Sequence, residues 1–78
     1  MAKKKEIAEV KAFLKANRGK WVSCKKMEKA CPSLLHYRDD ESEPLLYAIN
    51  SVCRVANIEG GIEEHGYGDF LVVYDEAD

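Results

Sequence analysis

Apolar residues recur at helical spacing in the N-terminal third of the chain, and they predict two amphipathic helices there. The first covers residues 4–17. Gly19 follows it, and glycine tolerates the left-handed conformation that ends many helices. The second covers residues 24–31, with Ser23 as its N-terminal cap and Pro32 at its end. Each helix is therefore expected to cover the core with one side.

A third helix is predicted to end near Asn57, and its two sides differ chemically. Ser42 or Glu43 is expected to cap its start, and Pro44 lies in its first turn. At 100° per residue one side is apolar and comprises Leu45, Ile49, Val52, Cys53 and Ala56. The opposite side is mainly polar and comprises Tyr47, Asn50, Ser51, Arg54 and Asn57. The first side should face the core, and the second should be open to solvent or to a ligand.

Strands are predicted at two places. The segment "KWVS" has room for a strand of two or three residues, on which Trp21 should be largely buried near the C-terminal hairpin. "GG" should end the third helix, and Ile62 should open the first strand of a hairpin. "HGYG" should form its turn, because glycine tolerates positive φ. "DFLVVYD" is rich in β-prone residues and should form the second strand. In "PSLLHYRDDESE", Leu34 and Leu35 are expected to reach the core, and the acidic residues after them should form a solvated loop.

The segments "GKWVSCKKMEKA", "PLLYAINSVCRVANIEGGIEE" and "GDFLVVY" carry most of this pattern, which spans residues 6–74. The order of helix, short strand, helix, helix and hairpin resembles that of winged helix-turn-helix domains. The resemblance implies an α+β fold with three helices, a short strand after the first helix and a C-terminal β-hairpin wing, in one domain of residues 1–78. One departure is that Cys31 and Ser42 lie eleven positions apart, where a helix-turn-helix has a turn of three or four residues.

Charge is distributed unevenly along this chain of 78 residues, whose net charge is −2. Residues 1–38 hold 11 Lys and Arg against 3 Glu, a balance of +8. Residues 39–78 hold one Arg against 11 Asp and Glu, a balance of −10. Such an asymmetry points to charged partners.

Because winged helices mostly bind DNA, the resemblance implies a small transcriptional regulator of phage or archaeal type that acts as a dimer on double-stranded DNA. The third helix would then read bases, with Asn50 or Asn57 on adenine and Arg54 on guanine. Tyr47 and Ser51 would reach phosphates or base edges. Four lysines of the basic half would bind the phosphates, and they are Lys20, Lys25, Lys26 and Lys29. The lysines at residues 3–5 could lie near them.

The hairpin argues against the usual role of a DNA-binding wing. Phosphates repel its four carboxylates, which are Glu59, Glu63, Glu64 and Asp69. Its tip offers only His65 and Tyr67 for stacking or hydrogen bonding. The alternative is a winged-helix protein-interaction module that binds no nucleic acid and engages a basic protein partner. Complementarity between the acidic hairpin and the basic half also allows a homodimer.

The sequence offers little for catalysis or metal binding. The three cysteines form no CxxC pair and lie at apolar helix positions, so packing in a reducing compartment is expected rather than disulfides or a zinc site. We also expect no enzyme activity and no cofactor, because there is no glycine-rich phosphate loop and neither histidine has a placed partner. No run approaches the roughly 18 apolar residues of a membrane span, and the N-terminus lacks the apolar block of a secretory signal. An intracellular, cytoplasmic protein is expected.

Overall fold

The computed structural model describes residues 3–66 and 68–74 of the chain. Within these residues the elements are α1 (Lys4–Ala16), β1 (Trp21–Val22), α2 (Cys24–Ala30), the 3-10 helix η1 (Pro32–Tyr37), α3 (Leu46–Val55), β2 (Gly60–Glu64) and β3 (Phe70–Tyr74). The fold is of the α+β class, and its element order is compatible with a winged helix. Two residues of the predicted hairpin, Tyr67 and Asp75, lie outside the described residues.

The three strands form one antiparallel sheet in the order β1-β3-β2, so β3 lies in the middle. Val22 lies opposite Phe70, and Ile62 lies opposite Val72. Since residues that are directly opposite share a face, these four side chains point to the same side, and all four are buried. The helices cover this inner face.

Trp21 is exposed, so the prediction that it is buried is wrong. It lies opposite Leu71 on the outer face of the sheet, and 58% of its surface is accessible. Its ring makes an edge contact with that of His65, with centroids 5.3 Å apart. Successive side chains of a strand alternate between faces, and in this two-residue strand Val22 occupies the inward position.

The core confirms which side of α3 is apolar. Leu45, Ile49, Val52 and Cys53 are buried, and Ala56 is half-buried. Leu46 is buried as well. Leu34 reaches the core as expected, and it does so from η1, a 3-10 helix for which no element was predicted. The other buried apolar side chains of the helices are Val10, Phe13, Leu14, Met27 and Cys31.

The predicted ends of the first two helices are confirmed to within one residue. The Ser23 hydroxyl accepts a hydrogen bond from the backbone N–H of Lys26 at 3.2 Å, which caps α2. Gly19 has φ of +72°, the left-handed conformation expected after α1. Pro32 follows α2 and occupies the first position of η1.

The start of α3 differs from the prediction, because neither Ser42 nor Glu43 caps it. The backbone N–H of Ser42 donates to the Asp40 carboxylate at 2.6 Å, and the Glu43 carboxylate accepts from the N–H of Asp39 at 2.9 Å. The loop therefore hydrogen-bonds within itself, and α3 begins only at Leu46.

The end of α3 also has a different cause from the one predicted. Asn57 takes the left-handed conformation, with φ of +56°, and the N–H of Ile58 donates back to the carbonyl of Cys53 at 2.8 Å. This is the hydrogen bond of a helix C-terminal cap, in which Asn replaces the commoner Gly. "GG" does not end the helix; it forms the first two residues of β2.

Candidate interaction surface on α3

The solvent-facing side of α3 carries four exposed side chains, Tyr47, Ser51, Arg54 and Val55, which we call the α3 face. All four are exposed; Tyr47 is 53% and Val55 58% accessible. At 100° per residue they lie within an arc of about 100°. Three of them were predicted as site residues, and the structure brings these three together. Val55 was missed, although its position four residues after Ser51 places it on this face.

Asn50, which the sequence assigned to base recognition, is half-buried and hydrogen-bonded to the sheet. Its Nδ2 donates to the carbonyl of Ile62 at 2.9 Å, and its Oδ1 accepts from the N–H of Ile62 at 2.9 Å. Both polar ends of the amide are thus bonded to β2. Asn50 therefore joins α3 to the sheet, and we do not include it in the α3 face.

The two glycines of β2 make this junction possible. A Cβ atom on Gly61 would lie 2.5 Å from Oδ1 of Asn50, and one on Gly60 would lie 1.7 Å from the carbonyl oxygen of Val73. Their φ angles are also positive, at +137° and +95°. "GG" is therefore explained by close packing against α3 and β3.

Two carboxylates of α1 hold η1 against α1, which also packs against α3. The Glu9 carboxylate accepts hydrogen bonds from the N–H and the hydroxyl of Ser33, at 3.1 and 2.8 Å. The Glu6 carboxylate is buried and accepts from the N–H of Lys3 at 2.9 Å and from the Tyr37 hydroxyl at 2.8 Å. Both hydrogen bonds lower the pKa of Glu6 below its ordinary value, and the bond from Lys3 has the larger effect. The ionised Glu6 carboxylate therefore holds the end of η1 in place through Tyr37.

A groove of about 230 Å³ lies between the end of η1 and α3. Its residues, which we call the groove lining, are Tyr37, Arg38, Glu43, Pro44, Tyr47, Ala48 and Ser51. Tyr47 and Ser51 belong to both the groove lining and the α3 face. The exposed face of the helix therefore continues into a concave site.

Arg38 is largely buried along one wall of this groove, with 13% of its side chain accessible. Its Nη1 donates to the Glu28 carboxylate at 3.1 Å and to the carbonyl of Glu41 at 3.2 Å. Its Nε is buried, without an acceptor among the described residues. The guanidinium is thus anchored through Nη1, and Glu28 balances its charge.

Carboxylates flank α3 in the chain, and we call this set the acidic border. Before α3 it contains Asp39, Asp40, Glu41 and Glu43, and after α3 it contains Glu59 and, on β2, Glu64. Five of the six are exposed, and Glu43 is half-buried. Glu63 lies opposite Leu71 on the outer face of the sheet and is not included. Hydrogen bonds from the hydroxyl and N–H of Ser42 lower the pKa of Asp40, which keeps it ionised well into the acid range.

The lysines that were predicted to bind phosphates belong to other elements. Lys25, Lys26 and Lys29 are exposed on α2, which packs against α1 and η1. Lys20 is exposed directly before β1. Because α3 packs on β2, at the opposite edge of the sheet from β1, two strand spacings of about 10 Å in total separate these edges.

The cysteines have the surroundings of packing residues. Cys31 and Cys53 are buried and Cys24 is half-buried. Burial raises the pKa of the Cys31 thiol to about 12, so it stays protonated and unreactive at neutral pH. Over residues 3–66 and 68–74 no group of three or more His, Cys, Asp or Glu could hold a metal ion. In the same part of the chain no helix has both the length and the apolar character needed to cross a membrane.

Comparisons with protein-family models, with curated proteins and with solved structures gave no match.

Proposed function

We propose that this chain is a winged-helix protein-interaction module that binds a basic segment of a partner protein through the α3 face. The observation that carries the proposal is the combination of exposed Tyr47 and Val55 with the acidic border that flanks α3 in the chain. Exposed aromatic and aliphatic side chains at the centre and charges at the rim are the usual anatomy of protein interfaces. The strand order β1-β3-β2 and the order of helices support the winged-helix assignment.

The electrostatics of the α3 face favour a cationic partner over DNA. Phosphates of a duplex docked on α3 would lie beside the acidic border, and their repulsion would oppose the contacts made by Arg54. Asn50 is also unavailable for adenine, because Ile62 occupies both ends of its amide. A Lys- and Arg-containing segment would be attracted by the same border, which accelerates association and selects the partner.

The proposal is tested by selecting 12-residue peptides from a random displayed library against the purified protein. Selected peptides should be rich in Lys and Arg. Their affinity should fall at least 10-fold, about 1.4 kcal/mol, in the double variant Tyr47→Ala/Val55→Ala. Trp21→Ala is the matched control, because it removes an equally exposed aromatic ring from the outer face of the sheet. Selection of neutral or acidic peptides, or an equal loss in the Trp21→Ala variant, would contradict the proposal.

Binding to double-stranded DNA is the second candidate function. It is favoured by the exposure of Tyr47, Ser51 and Arg54 on one helix face and by the exposed lysines of α2. Binding should then be strongest at low ionic strength and should weaken for all sequences alike in Lys25→Ala/Lys29→Ala, with a salt slope smaller by about 0.9 per lost phosphate contact. Duplex binding of this kind, together with failure of the peptide selection, would replace the first proposal.

A further inference from the structure

We infer that the groove between η1 and α3 receives one Lys or Arg side chain of the partner's basic segment. The inference rests on the proposed function and specifies what its site recognises. The α3 face would hold the apolar residues of the segment, and the groove beside it would hold one cation.

The size of the groove fits a single side chain. Pockets that bury drug-sized ligands have volumes of roughly 300–1,000 Å³, whereas this groove measures about 230 Å³. It also opens directly beside the α3 face, since Tyr47 and Ser51 belong to both. A side chain that projects from a segment lying on α3 can therefore enter it.

The groove lining has the chemistry that a long cationic side chain requires. Tyr37 and Tyr47 are 45% and 53% accessible, and a cation close to the face of a tyrosine ring is attracted by it. Pro44 and Ala48 offer apolar surface to the methylene stem, as Lys and Arg side chains prefer. The Glu43 carboxylate provides the counter-charge. The lining thus offers an aromatic, an apolar and an anionic component at one place.

The local charge balance favours a cation over an anion. Arg38 is the one cation of the groove lining, and Glu28 already neutralises it at 3.1 Å. Glu43 and its neighbours Asp39, Asp40 and Glu41 stand on the loop that forms this end of the groove. Hydrogen bonds within the loop hold the carboxylates of Asp40 and Glu43, and Arg38 also attracts that of Asp40. An incoming carboxylate or phosphate would meet these four charges, whereas a Lys or Arg head group would neutralise part of them.

The decisive variant is Glu43→Gln, because it removes the charge and leaves the loop intact. Its amide oxygen can still accept the hydrogen bond that Glu43 accepts from the N–H of Asp39. Glu63→Gln is the matched control, since it makes the same change in net charge at an exposed position of β2 outside the groove lining. If the cation binds in a specific pocket, only Glu43→Gln should weaken its binding. If general attraction between opposite charges causes the binding, both variants should weaken it equally.

The experiment measures chemical shifts of the 15N-labelled protein during titration with N-acetyl-arginine methylamide and N-acetyl-lysine methylamide. N-acetyl-norleucine methylamide and inorganic phosphate serve as comparison probes. The cationic probes should shift the amide signals of Arg38, Ala48 and Ser51 with Kd values on the order of millimolar. Glu43→Gln should weaken this binding at least 3-fold, and Glu63→Gln should change it less than 1.5-fold.

Three outcomes would overturn the inference: equal shifts with the norleucine probe, shifts with phosphate only, or equal effects of the two variants. Its failure is distinguishable from failure of the proposed function. The selected peptides could still bind through Tyr47 and Val55 while Glu43→Gln has no effect on their affinity. That result would support the interaction module and refute the cation pocket. Absence of peptide binding altogether would refute both.

Discussion

The two hydrogen bonds between Asn50 and Ile62 should make a measurable contribution to stability. Asn50→Ala leaves the N–H and the carbonyl of Ile62 without these partners. A typical intramolecular hydrogen bond contributes about 0.5–1.5 kcal/mol net, and an unsatisfied buried group costs more. Because these groups are only partly buried, we expect a total loss of about 2 kcal/mol. For a domain of this size that loss corresponds to a decrease in Tm of roughly 10 °C.

The same geometry predicts a specific coupling with Gly61. In the wild type, Gly61→Ala places a Cβ atom 2.5 Å from Oδ1 of Asn50 and imposes a φ of +137° on alanine. In the Asn50→Ala background the close contact disappears, and only the backbone strain of about 1–3 kcal/mol remains. The double variant should therefore be more stable than the sum of the single losses predicts, by at least about 1 kcal/mol.

The assay is equilibrium unfolding in urea, followed by circular dichroism, for the wild type, the two single variants and the double variant. Gly19→Ala is the control partner, because Gly19 also has a positive φ but no atom within 4 Å of its added Cβ. Its effect should add to that of Asn50→Ala within about 0.5 kcal/mol. A loss below about 0.5 kcal/mol for Asn50→Ala, or full additivity with Gly61→Ala, would refute this description of the junction.

Three further predictions follow from the burial and pKa of single residues. Trp21→Ala should destabilise the fold by about 1 kcal/mol or less, and native Trp21 fluorescence should resemble that of a solvated indole; a loss of 3–5 kcal/mol would show the ring to be buried. Since the folded-state pKa of Glu6 is lowered, its stabilisation is present above the ordinary pKa of about 4.5 and is lost as the pH falls towards the lowered value. Urea unfolding at a series of pH values should thus show a smaller loss in acid for Glu6→Gln than for the wild type. A thiol reagent at pH 8 should modify Cys24 alone in the native protein and all three cysteines in urea; rapid reaction of Cys31 would contradict its burial and raised pKa.

Much of the fold could be predicted because periodicity reports burial directly. The apolar side of α3, from Leu45 to Cys53, and the cap at Ser23 depend on residues that are close in sequence, and the structure confirms both. Trp21 was misplaced because a strand of two residues has no visible alternation, so its large ring was assigned to the core. Val22 faces the core instead, because it lies opposite the buried Phe70 in the sheet.

The candidate site was only partly predictable, because one of its residues is decided by a long-range contact. Helical periodicity placed Asn50 with Tyr47 and Ser51. No local signal in the sequence reveals that the Asn50 side chain forms hydrogen bonds with the backbone of Ile62. The pair "GG" was the available clue: two glycines in a strand often mark the close approach of another group. The groove lining could not be predicted for a similar reason: its residues come from η1 and α3, and η1 is held by long-range hydrogen bonds to Glu6 and Glu9 of α1.

The amide of Asn50 also has a consequence for association between unfolding chains. β2 is an edge strand, and an edge with free N–H and carbonyl groups is a template on which the strand of another molecule can pair. At Ile62 both groups that point away from β3 are held by Asn50, so an intruding strand must first displace α3. The charges of Glu63 and Glu64 discourage pairing along the rest of the edge. Conditions that detach α3 should therefore expose this edge to pairing and cause aggregation, and they should do so before the sheet itself unfolds.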